Sequence, residues 1–360
     1  MPSYQSLDTS TPAGKRTIER ILSLREKIKA EIPQKKLDET LLLATWNIRE
    51  FDSPAYGDRM KEALYYIAEI ISAFDLVAVQ EVRDDLTGLD KVMKILGDNW
   101  DYMFSDVTEG SQGNKERTAF IYDTRKVNPA GLVGEIVFPP IEKRIKDSNN
   151  KTVTVYEPVL QSARTPFLVG FTAGWADFVL TTVHMIWGND IANDPQRVKE
   201  IDTIASILKE KSTKAYEWSR NFILLGDFNI FSVDDDTFKA LTQNGFDVPP
   251  EMIGAKSNAN KDRQYDQIAF HDRVNKFETT GKAGVFDFFD TVYTLADETI
   301  YIPDMGAAYN TTSEGKPRSN KTLYYKTYWR THQMSDHLPK WIELKIDFSD
   351  AYLKKKLSAG

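Results

Sequence analysis

Two polar side chains that could bind a cation or a phosphate follow the short apolar run at residues 222–225. Asp227 and Asn229 stand two positions apart, and on an extended chain that spacing places both side chains on one face. A carboxylate and an amide at the end of a buried strand suit a hydrated divalent cation or a phosphate. The alternative is a structural turn in which Asp227 accepts a nearby backbone N–H. These residues alone leave both interpretations open.

Polar residues stand at the ends of several other apolar runs in the same way. The runs, each predicted to be a strand, lie at 41–46, 75–80, 178–183 and 338–346. The polar residues beside them are Asn47, Glu81, His184, Asp336 and His337. Because strand ends on one edge of a sheet form a common crevice, we expect these side chains to lie close together.

The composition limits the chemistry that this set of side chains could perform. The chain has no cysteine, which excludes disulfides, thiolate nucleophiles and cysteine-zinc sites. Oxygen ligands together with two histidines favour Mg²⁺ or Mn²⁺ over Zn²⁺, with Ca²⁺ as a further alternative. The formal net charge is -7, so no overall basic field draws the protein to nucleic acid, and any polyanion would have to bind a local patch.

Strands interleaved with a few long helices predict a domain of α/β or α+β class with a sizeable core. The apolar spacing predicts helices at 15–32, 58–73 and 195–211. Asp194 is the expected N-cap of the third helix. The segment 301–333 has a weak pattern that is typical of a long loop. We predict a disordered tail at 1–14, a helical extension at 15–36, the main domain at 37–348 and a C-terminal tail at 349–360.

The sequence also carries information about the compartment of the protein. It has no run of about 18 apolar residues, so we expect no transmembrane segment. The first residues lack the apolar core of a signal peptide. These observations favour a cytoplasmic protein, or a secreted or periplasmic one if a leader was removed before residue 1. We expect a monomer.

Short motifs in a fixed order connect these residues to a known family. The motifs are TWNI (45–48), VQEVRD (79–84), KER (115–117), RTP (164–166), VH (183–184), GDFN (226–229), YDQI (265–268) and SDHLP (335–339). Each motif alone is weakly specific, but the ordered set covers nearly the whole chain. The sequence resembles the endonuclease/exonuclease/phosphatase superfamily, and its DNase I-like branch in particular.

The resemblance implies a fold and a set of site residues. The fold would be α+β, a four-layer α/β/β/α sandwich with two mixed sheets face to face and helices outside, and 37–348 would be the catalytic domain. The implied metal ligands are Glu81, Asp336 and Asp227. The implied catalytic residues are His184, His337, Asp266, Glu116, Asp227 and Asn229. The implied substrate-binding residues are Arg164, which would hold a phosphate oxygen, Asn47 and Arg83.

Phosphodiester hydrolysis needs an in-line water, a proton acceptor, a proton donor for the leaving oxygen and positive charge on the phosphate. A histidine that is fixed by a carboxylate can exchange a proton near neutral pH. We expect the pair His337–Asp266 to activate water and the pair His184–Glu116 to protonate the leaving group. The sequence therefore predicts a metal-dependent phosphodiester hydrolase, most specifically a DNase I-like endonuclease.

The substrate is less constrained by the motifs than the reaction. Arg83 stands where the nuclease branch uses an arginine to reach the DNA groove, and 316–330 is both basic and aromatic, which suits a nucleic acid, DNA more than RNA. The alternative for this segment is a structured hairpin with a solvated face. Asn114 replaces a groove-packing tyrosine of the branch. A phosphatase or phosphodiesterase for a small or lipid phosphoester and a non-catalytic binding protein remain alternatives.

Overall fold

Two β-sheets packed face to face form the centre of the protein, whose computed structural model describes residues 2–51, 57–110, 112–214, 217–272 and 277–359. In spatial order, the first sheet contains β12 (Thr279–Val285), β13 (Lys340–Lys345), β1 (Thr40–Phe51), β2 (Leu76–Arg83), β4 (Glu116–Asp123) and β3 (Trp100–Phe104). The second sheet contains β11 (Asp266–Asp272), β10 (Asn221–Asp227), β9 (Ala176–His184), β8 (Phe167–Ala173) and β5 (Asn128–Glu135). A separate hairpin pairs β6 (Ile141–Lys146) with β7 (Thr152–Glu157).

Helices cover the outer faces of both sheets. The helices are α1 (Pro12–Glu31), α2 (Lys61–Ser72), α3 (Thr87–Leu96), α4 (Pro195–Ser212), α5 (Asp236–Thr242), α6 (Glu298–Met305), α7 (Lys321–Tyr324), α8 (Arg330–Gln333) and α9 (Ser349–Ala359). Apolar residues of α1–α3 share a core with the first sheet, and those of α4 and α5 share a core with the second. Both sheets mix parallel and antiparallel neighbours. The predicted α+β sandwich is confirmed. Among the described residues, no helix has the length and apolar character to cross a bilayer.

Strand β1 shows how the sequence builds two cores at once. Its side chains alternate between the two faces of the sheet, as an extended chain requires. Leu41 and Leu43 lie in the core between the sheets, whereas Leu42 and Trp46 lie in the core under α1–α3. All four are at most 1% exposed. An unbroken apolar run is therefore needed here, because both faces of the strand are buried.

The start of α4 follows the predicted capping pattern. The Asp194 carboxylate accepts hydrogen bonds from the backbone N–H groups of Gln196 and Arg197, and Pro195 occupies the first helical turn. These contacts satisfy backbone donors that the first turn of a helix leaves unpaired. The prediction of an N-cap at Asp194 is confirmed, and the helix extends one residue beyond the predicted range 195–211.

The N-terminal segment lies against the domain, where the sequence predicted a disordered tail and then a helical extension. The ring of Tyr4 stacks on that of Tyr65, with centroids 6.2 Å apart, and α1 begins at Pro12. Arg16 and Arg25 of α1 form ion pairs with Glu62 (2.9 Å) and with a further glutamate of α2 (2.6 Å). The sequence shows the periodicity of α1, but it does not show these contacts between segments that are distant in sequence. At the other end, α9 occupies the predicted C-terminal tail. Met1 and Gly360 lie outside the described residues.

The segment 301–333 is helical over much of its length, although its sequence pattern predicted a loop. Its helical pieces are short, and a π-helical turn at Tyr325–Trp329 joins α7 to α8. A π-turn adds a residue to the helical repeat, so the apolar side chains do not follow a 3.6-residue period. Tyr301 and Tyr325 are nonetheless fully buried, and their rings stack at 6.5 Å.

We expect Glu62→Ala to lower the free energy of unfolding by about 2–3 kcal/mol, because it removes a buried carboxylate and leaves its partners unpaired. Glu62 accepts hydrogen bonds from Arg16 (2.9 Å) and from the Tyr301 hydroxyl (2.6 Å). Urea unfolding would measure the change. The matched control is Lys29→Ala, which breaks a solvent-exposed ion pair with Glu26 and should cost less than about 0.5 kcal/mol. Equal stabilities of the two variants would contradict the structural role of α1.

Candidate active site

Three neighbouring strand ends of the second sheet bring acidic and imidazole side chains together. In the sheet register, Asp227 at the end of β10 is paired with His184 on one side and with Asp266 on the other. All three residues are at most 8% exposed. Each apolar strand therefore delivers its polar end residue to the same edge, as the sequence predicted.

The GDFN motif shapes the end of β10. Gly226 has φ +134°, and a Cβ atom there would lie 2.1 Å from the carbonyl oxygen of Val183, so only glycine fits against the neighbouring strand. The backbone N–H of Asn229 donates to Asp227 Oδ1 (2.9 Å), and the Asn229 amide donates to the Met185 carbonyl (2.9 Å). The structural turn that was the alternative interpretation thus exists, and it leaves Asp227 Oδ2 facing the site.

The first sheet contributes Asn47, at the point where the pairing of β1 with β2 becomes irregular, and Glu81 from near the end of β2. The Asn47 amide nitrogen donates to Glu81 Oε1 and to Asp227 Oδ2, both at 2.9 Å, which joins the two sheets at the site. Glu81 itself has φ +61° and accepts the backbone N–H of Glu50 at 2.7 Å. A glutamate in this left-handed region is strained, and such strain is concentrated at functional sites.

Two histidine–carboxylate pairs face each other across Asp227. His184 Nδ1 lies 2.7 Å from Glu116 Oε2, and His337 Nδ1 lies 2.9 Å from Asp266 Oδ2. The opposite ring nitrogens, both Nε2, lie 3.7 Å and 3.6 Å from the same oxygen, Asp227 Oδ2. Each carboxylate fixes the orientation of its imidazole, so both Nε2 atoms point to one position. The predicted pairing of these four residues is what the structure shows.

Glu116 lies at the centre of a cluster of donors. Arg164 Nε is 2.7 Å and Asn114 Nδ2 is 2.8 Å from its carboxylate, and Arg83 lies at 3.7 Å. Burial alone would raise the pKa of Glu116, but the charge and hydrogen bond of His184, with Arg164 and Asn114, lower it to about 2. The side chain of Arg83 is 14% exposed and lies 3.7 Å from both Glu50 and Glu116, and its role in reaching a DNA groove stays a prediction.

The charges around the histidines favour their protonated forms. Burial and the Arg164 cation act to lower the pKa of His184, but the Glu116 and Asp227 carboxylates raise it above its ordinary value. Burial likewise opposes protonation of His337, and the facing carboxylates of Asp266 and Asp227 raise its pKa well above the ordinary value. An imidazolium at either position can donate a proton from Nε2 toward Asp227.

Excess carboxylate charge makes the site suitable for a divalent cation. Desolvation raises the pKa of Glu81; His184 opposes this, and the nearby Glu116 and Asp336 carboxylates raise it further. Asn47 Oδ1 is buried and has no hydrogen-bond donor among the described residues. These oxygens fit the ligand preference of Mg²⁺ and similar hard cations. The predicted ligand Asp336 is half-exposed at the rim, with Arg49 Nε 3.9 Å away.

A second group of side chains could also hold a cation. Within the described residues, ligand atoms of Asp227, Asp266 and His337 all lie within 4.8 Å of one another. Two of these residues already form the Asp266–His337 hydrogen bond. A cation bound to the His337 ring would either break the hydrogen bond to Asp266 or block the access of a substrate to Nε2. We therefore regard Glu81, Asp227 and Asp336 as the better set.

Several residues of the site were missed by sequence reasoning. Ser335, the first letter of SDHLP, donates to the Asn47 carbonyl (2.6 Å) and accepts the backbone N–H groups of Arg49 and His337. The motif contained this signal. Asn114, noted only as a departure from the family pattern, binds Glu116. Buried Lys340 donates to the Asp266 carbonyl oxygen (2.9 Å), and only its position five residues after Ser335 could have pointed to it.

The comparisons with known proteins agree with this geometry. The sequence model of the Endonuclease/Exonuclease/phosphatase family matches residues 44–300. The chain belongs to this family. Its members are hydrolases that act on phosphoester bonds and typically depend on a divalent metal.

Individual relatives extend the comparison. Deoxyribonuclease-1 of Rattus norvegicus is 33% identical over 98 residues, which span 26% of this chain and 34% of that protein. A functionally unknown conserved protein of Enterococcus faecalis V583 has a similar fold, with a TM-score of 0.51 and 15% identity over 84% of this chain and 99% of the other. A mannosyl-6-phosphatase of Bacteroides thetaiotaomicron gives a TM-score of 0.50 and 17% identity over 84% and 99% of the respective chains. At these identities the structural likeness shows the fold alone.

We expect Mg²⁺ or Mn²⁺ to raise the Tm of the protein, because a ligand that binds only the folded state stabilises it, by about 2.7 kcal/mol at a concentration of 100 times Kd. Glu81→Gln should abolish the shift in a thermal melt. His337→Ala serves as the comparison, because it removes a member of the second ligand group and should keep the shift. The reverse result would place the cation at Asp227, Asp266 and His337, and no shift in the wild type would contradict a cation site.

Proposed function

We propose that the protein is a metal-dependent phosphodiester hydrolase that cleaves nucleic acid, DNA in preference to RNA, as an endonuclease. The observation that carries the reaction is the position of the two imidazoles. Both Nε2 atoms lie within 3.7 Å of Asp227 Oδ2, and each ring is fixed by a carboxylate on its other nitrogen. A phosphate between them would have a proton acceptor on one side and a proton donor on the other.

We assign the base to His337 and the acid to His184. The base must be neutral, and a bound cation that offsets the Asp227 charge would lower the raised pKa of His337 toward that state. His337, oriented by Asp266, takes a proton from the attacking water, and His184, oriented by Glu116, gives a proton to the leaving oxygen. Arg164 is held by Glu116 next to His184, where its permanent charge can stabilise a phosphate oxygen. Asn47 and Asn229 fix Asp227 between the rings.

A divalent cation fits beside this machinery. Held by Glu81, Asp227 and Asp336, it would supply Lewis-acid charge to the phosphate and offset the Asp227 carboxylate that raises the pKa of both histidines. The protein residues perform the remaining tasks. They orient the rings, exclude solvent from Glu116 and Asp266, and hold the proton at Nε2 of the acid.

Nucleic acid is the preferred substrate class on two grounds. The curated relative with 33% identity is named Deoxyribonuclease-1, although the match covers only about a third of that protein. The segment 316–330, next to the SDHLP motif, places Lys326 at the cavity beside His337. The same segment exposes half of Tyr328, and basic and aromatic side chains together suit a nucleic acid strand.

A small phosphoester is the second candidate. It is favoured by the modest size of the polar cavity beside His337, about 200 Å³, and by the fold shared with a mannosyl-6-phosphatase. A non-catalytic binding role is disfavoured, because the paired histidines, the acidic residues and Arg164 are all present and meet at one place.

Supercoiled plasmid, single-stranded DNA, RNA and a panel of phosphomonoesters, each with Mg²⁺ or Mn²⁺, test the function. We expect nicking of the plasmid, and we expect His184→Ala and His337→Ala each to lower turnover by about 100-fold or more, since each removes a proton-transfer group. Circular dichroism and Tm would confirm that both variants fold. Hydrolysis of phosphomonoesters alone would overturn the endonuclease assignment and keep the hydrolase, whereas wild-type turnover by either variant would remove that histidine from the reaction.

The pH dependence of kcat tests which histidine is the acid. The acid must be protonated, and the raised pKa of His184 keeps it protonated above its ordinary range, so activity falls as the pH rises through that raised value. Glu116→Gln removes a charge that raises the pKa of His184, so the basic limb should move to lower pH.

Asp266→Asn is the matched variant on the other pair, because it makes the same change beside His337. A shift of the basic limb in Asp266→Asn but not in Glu116→Gln would exchange the roles of the two histidines. Glu116, with its pKa of about 2, stays ionised across the whole pH range of such an assay.

A further inference from the structure

A polar cavity of about 200 Å³ opens directly beside the catalytic residues. Its lining includes His337 and Asp336 of the SDHLP motif, Tyr265 and Asn260 on one wall, and Lys326 and Thr327 on the other. The side chains are mostly polar, and the volume suits a phosphate group or one sugar ring. Since none of the proposed proton-transfer steps uses this space, the cavity is available to another part of the substrate.

The two walls of the cavity are held in place by different means. On one side, the 258–260 loop is tied to the SDHLP motif, because Asn258 forms an isolated β-bridge with His337 and the Ala259 N–H donates to the Asp336 carbonyl (2.7 Å). On the other side, the π-helical turn Tyr325–Trp329 forms the wall. π-turns inside helices frequently mark functional sites.

The π-turn turns aromatic residues inward and leaves Lys326 at the cavity. The rings of Tyr325 and Trp329 both pack on Tyr301, at 6.5 Å and 5.1 Å between centroids. Lys326 and Thr327, which lie between them in the chain, line the cavity instead. The turn therefore serves two purposes, since it anchors the segment in the core and presents a cation beside His337.

Among the residues that the structure describes, Lys326 differs from the other basic residues of the 316–330 segment because its side chain has no partner. Lys316 pairs with Glu314, Lys321 donates to Asn310, and Arg318 and Arg330 donate to backbone carbonyls. For Lys326, no carboxylate lies within ion-pair distance and no side-chain hydrogen bond is formed among the residues that the structure describes. Its three N–H donors are available to a ligand.

The remaining charges at the cavity do not oppose an anion strongly. Asp336 is the acidic residue of the lining, and Arg49 lies 3.9 Å from its carboxylate. Arg330 also lines the cavity, buried and over the ring of Phe289 at 4.1 Å. Cationic side chains therefore outweigh the single carboxylate, and Asn260 adds an exposed amide.

We propose that Lys326, with Asn260, binds a second phosphate group of the substrate, next to the phosphate that is cleaved. This inference rests on the proposed function, because it assigns the neighbouring part of the same substrate. A charge-assisted contact from an ammonium to a phosphate is among the stronger hydrogen bonds in proteins. The second phosphate belongs either to the next phosphodiester of a nucleic acid strand or to a small molecule with two phosphates.

The test compares substrates with one and two phosphates. The nucleic acid arm uses the dinucleoside monophosphate TpT against the trinucleotide TpTpT, and the small-molecule arm uses a hexose monophosphate against a hexose bisphosphate. The quantity compared is kcat/KM for the two-phosphate substrate divided by kcat/KM for the one-phosphate substrate. We expect Lys326→Met to lower this ratio about 10-fold or more. The arm in which the ratio falls identifies the source of the second phosphate.

Two further variants control for folding and general charge. Lys321→Met removes an equal charge from the same segment but from a side chain directed to Asn310, so its ratio should stay within about 2-fold of the wild type. Lys326→Arg keeps the charge and should restore most of the ratio. An unchanged ratio in Lys326→Met, or an equal fall in Lys321→Met, overturns the inference.

A binding measurement separates failure of this inference from failure of the proposed function. With chelator present, so that no turnover is needed, Kd for TpTpT is measured for the wild type and Lys326→Met. We expect Kd to rise about 10-fold in the variant. If one-phosphate esters are hydrolysed normally and the ratio is unchanged in Lys326→Met, the second-phosphate site is rejected and the hydrolase assignment is kept. Absence of hydrolysis with a Lys326-dependent Kd would reject the reaction and keep the site, and equal Kd values in both proteins would reject the site.

Discussion

The hydrogen bonds of one buried amide fix the geometry of the candidate site. Asn47 Nδ2 donates to Glu81 Oε1 and to Asp227 Oδ2, each at 2.9 Å, and these acceptors belong to different sheets. Because Asn47 is fully buried, both N–H groups must find partners in the protein. Together with the His184–Glu116 contact and the Lys340–Asp266 hydrogen bond, which also cross between the sheets, Asn47 fixes the two sheets relative to each other at this edge. The positions of both histidines relative to Glu81 and Asp227 depend on these contacts.

The site concentrates charge and strain that the rest of the fold has to stabilise. Glu116, Asp227 and Asp266 are buried within one region, and their mutual repulsion is offset by two histidines and by Arg164. Glu81 and Asn229 both adopt left-handed backbone angles, φ +61° and +52°. Two large hydrophobic cores, one between the sheets and one under α1–α3, stabilise the strands that hold these residues. The repulsion between the buried carboxylates and the backbone strain persist because those strands cannot move independently.

The residues that the sequence predicted and those it missed differ in a physical way. Asp227, His184 and Glu81 could be found because strand periodicity and the end of an apolar run are local properties, and the resemblance to the family supplied the pairing of His337 with Asp266. The packing of Tyr4 on the domain and the inward position of Arg83 depend on segments distant in sequence, whereas Asn114 contacts Glu116 only two positions further along the chain. The π-turn at Tyr325–Trp329 was hidden for another reason, because it breaks the 3.6-residue period that reveals a helix.

The surroundings of the two histidines suggest how one reaction could serve different substrates. On the His184 side, Glu116 is held by Arg164 and Asn114, and the Ile186 N–H donates to buried Glu200 at 3.0 Å. A larger cavity of about 590 Å³, whose lining surface is mainly apolar although polar side chains also border it, includes Ile186 in its wall. The His337 side opens into the smaller polar cavity. A phosphoester placed between the two imidazole rings would therefore extend toward apolar surface in one direction and toward the Lys326 ammonium group in the other. Changes in either cavity would alter the substrate without moving the proposed proton-transfer groups, His184 and His337.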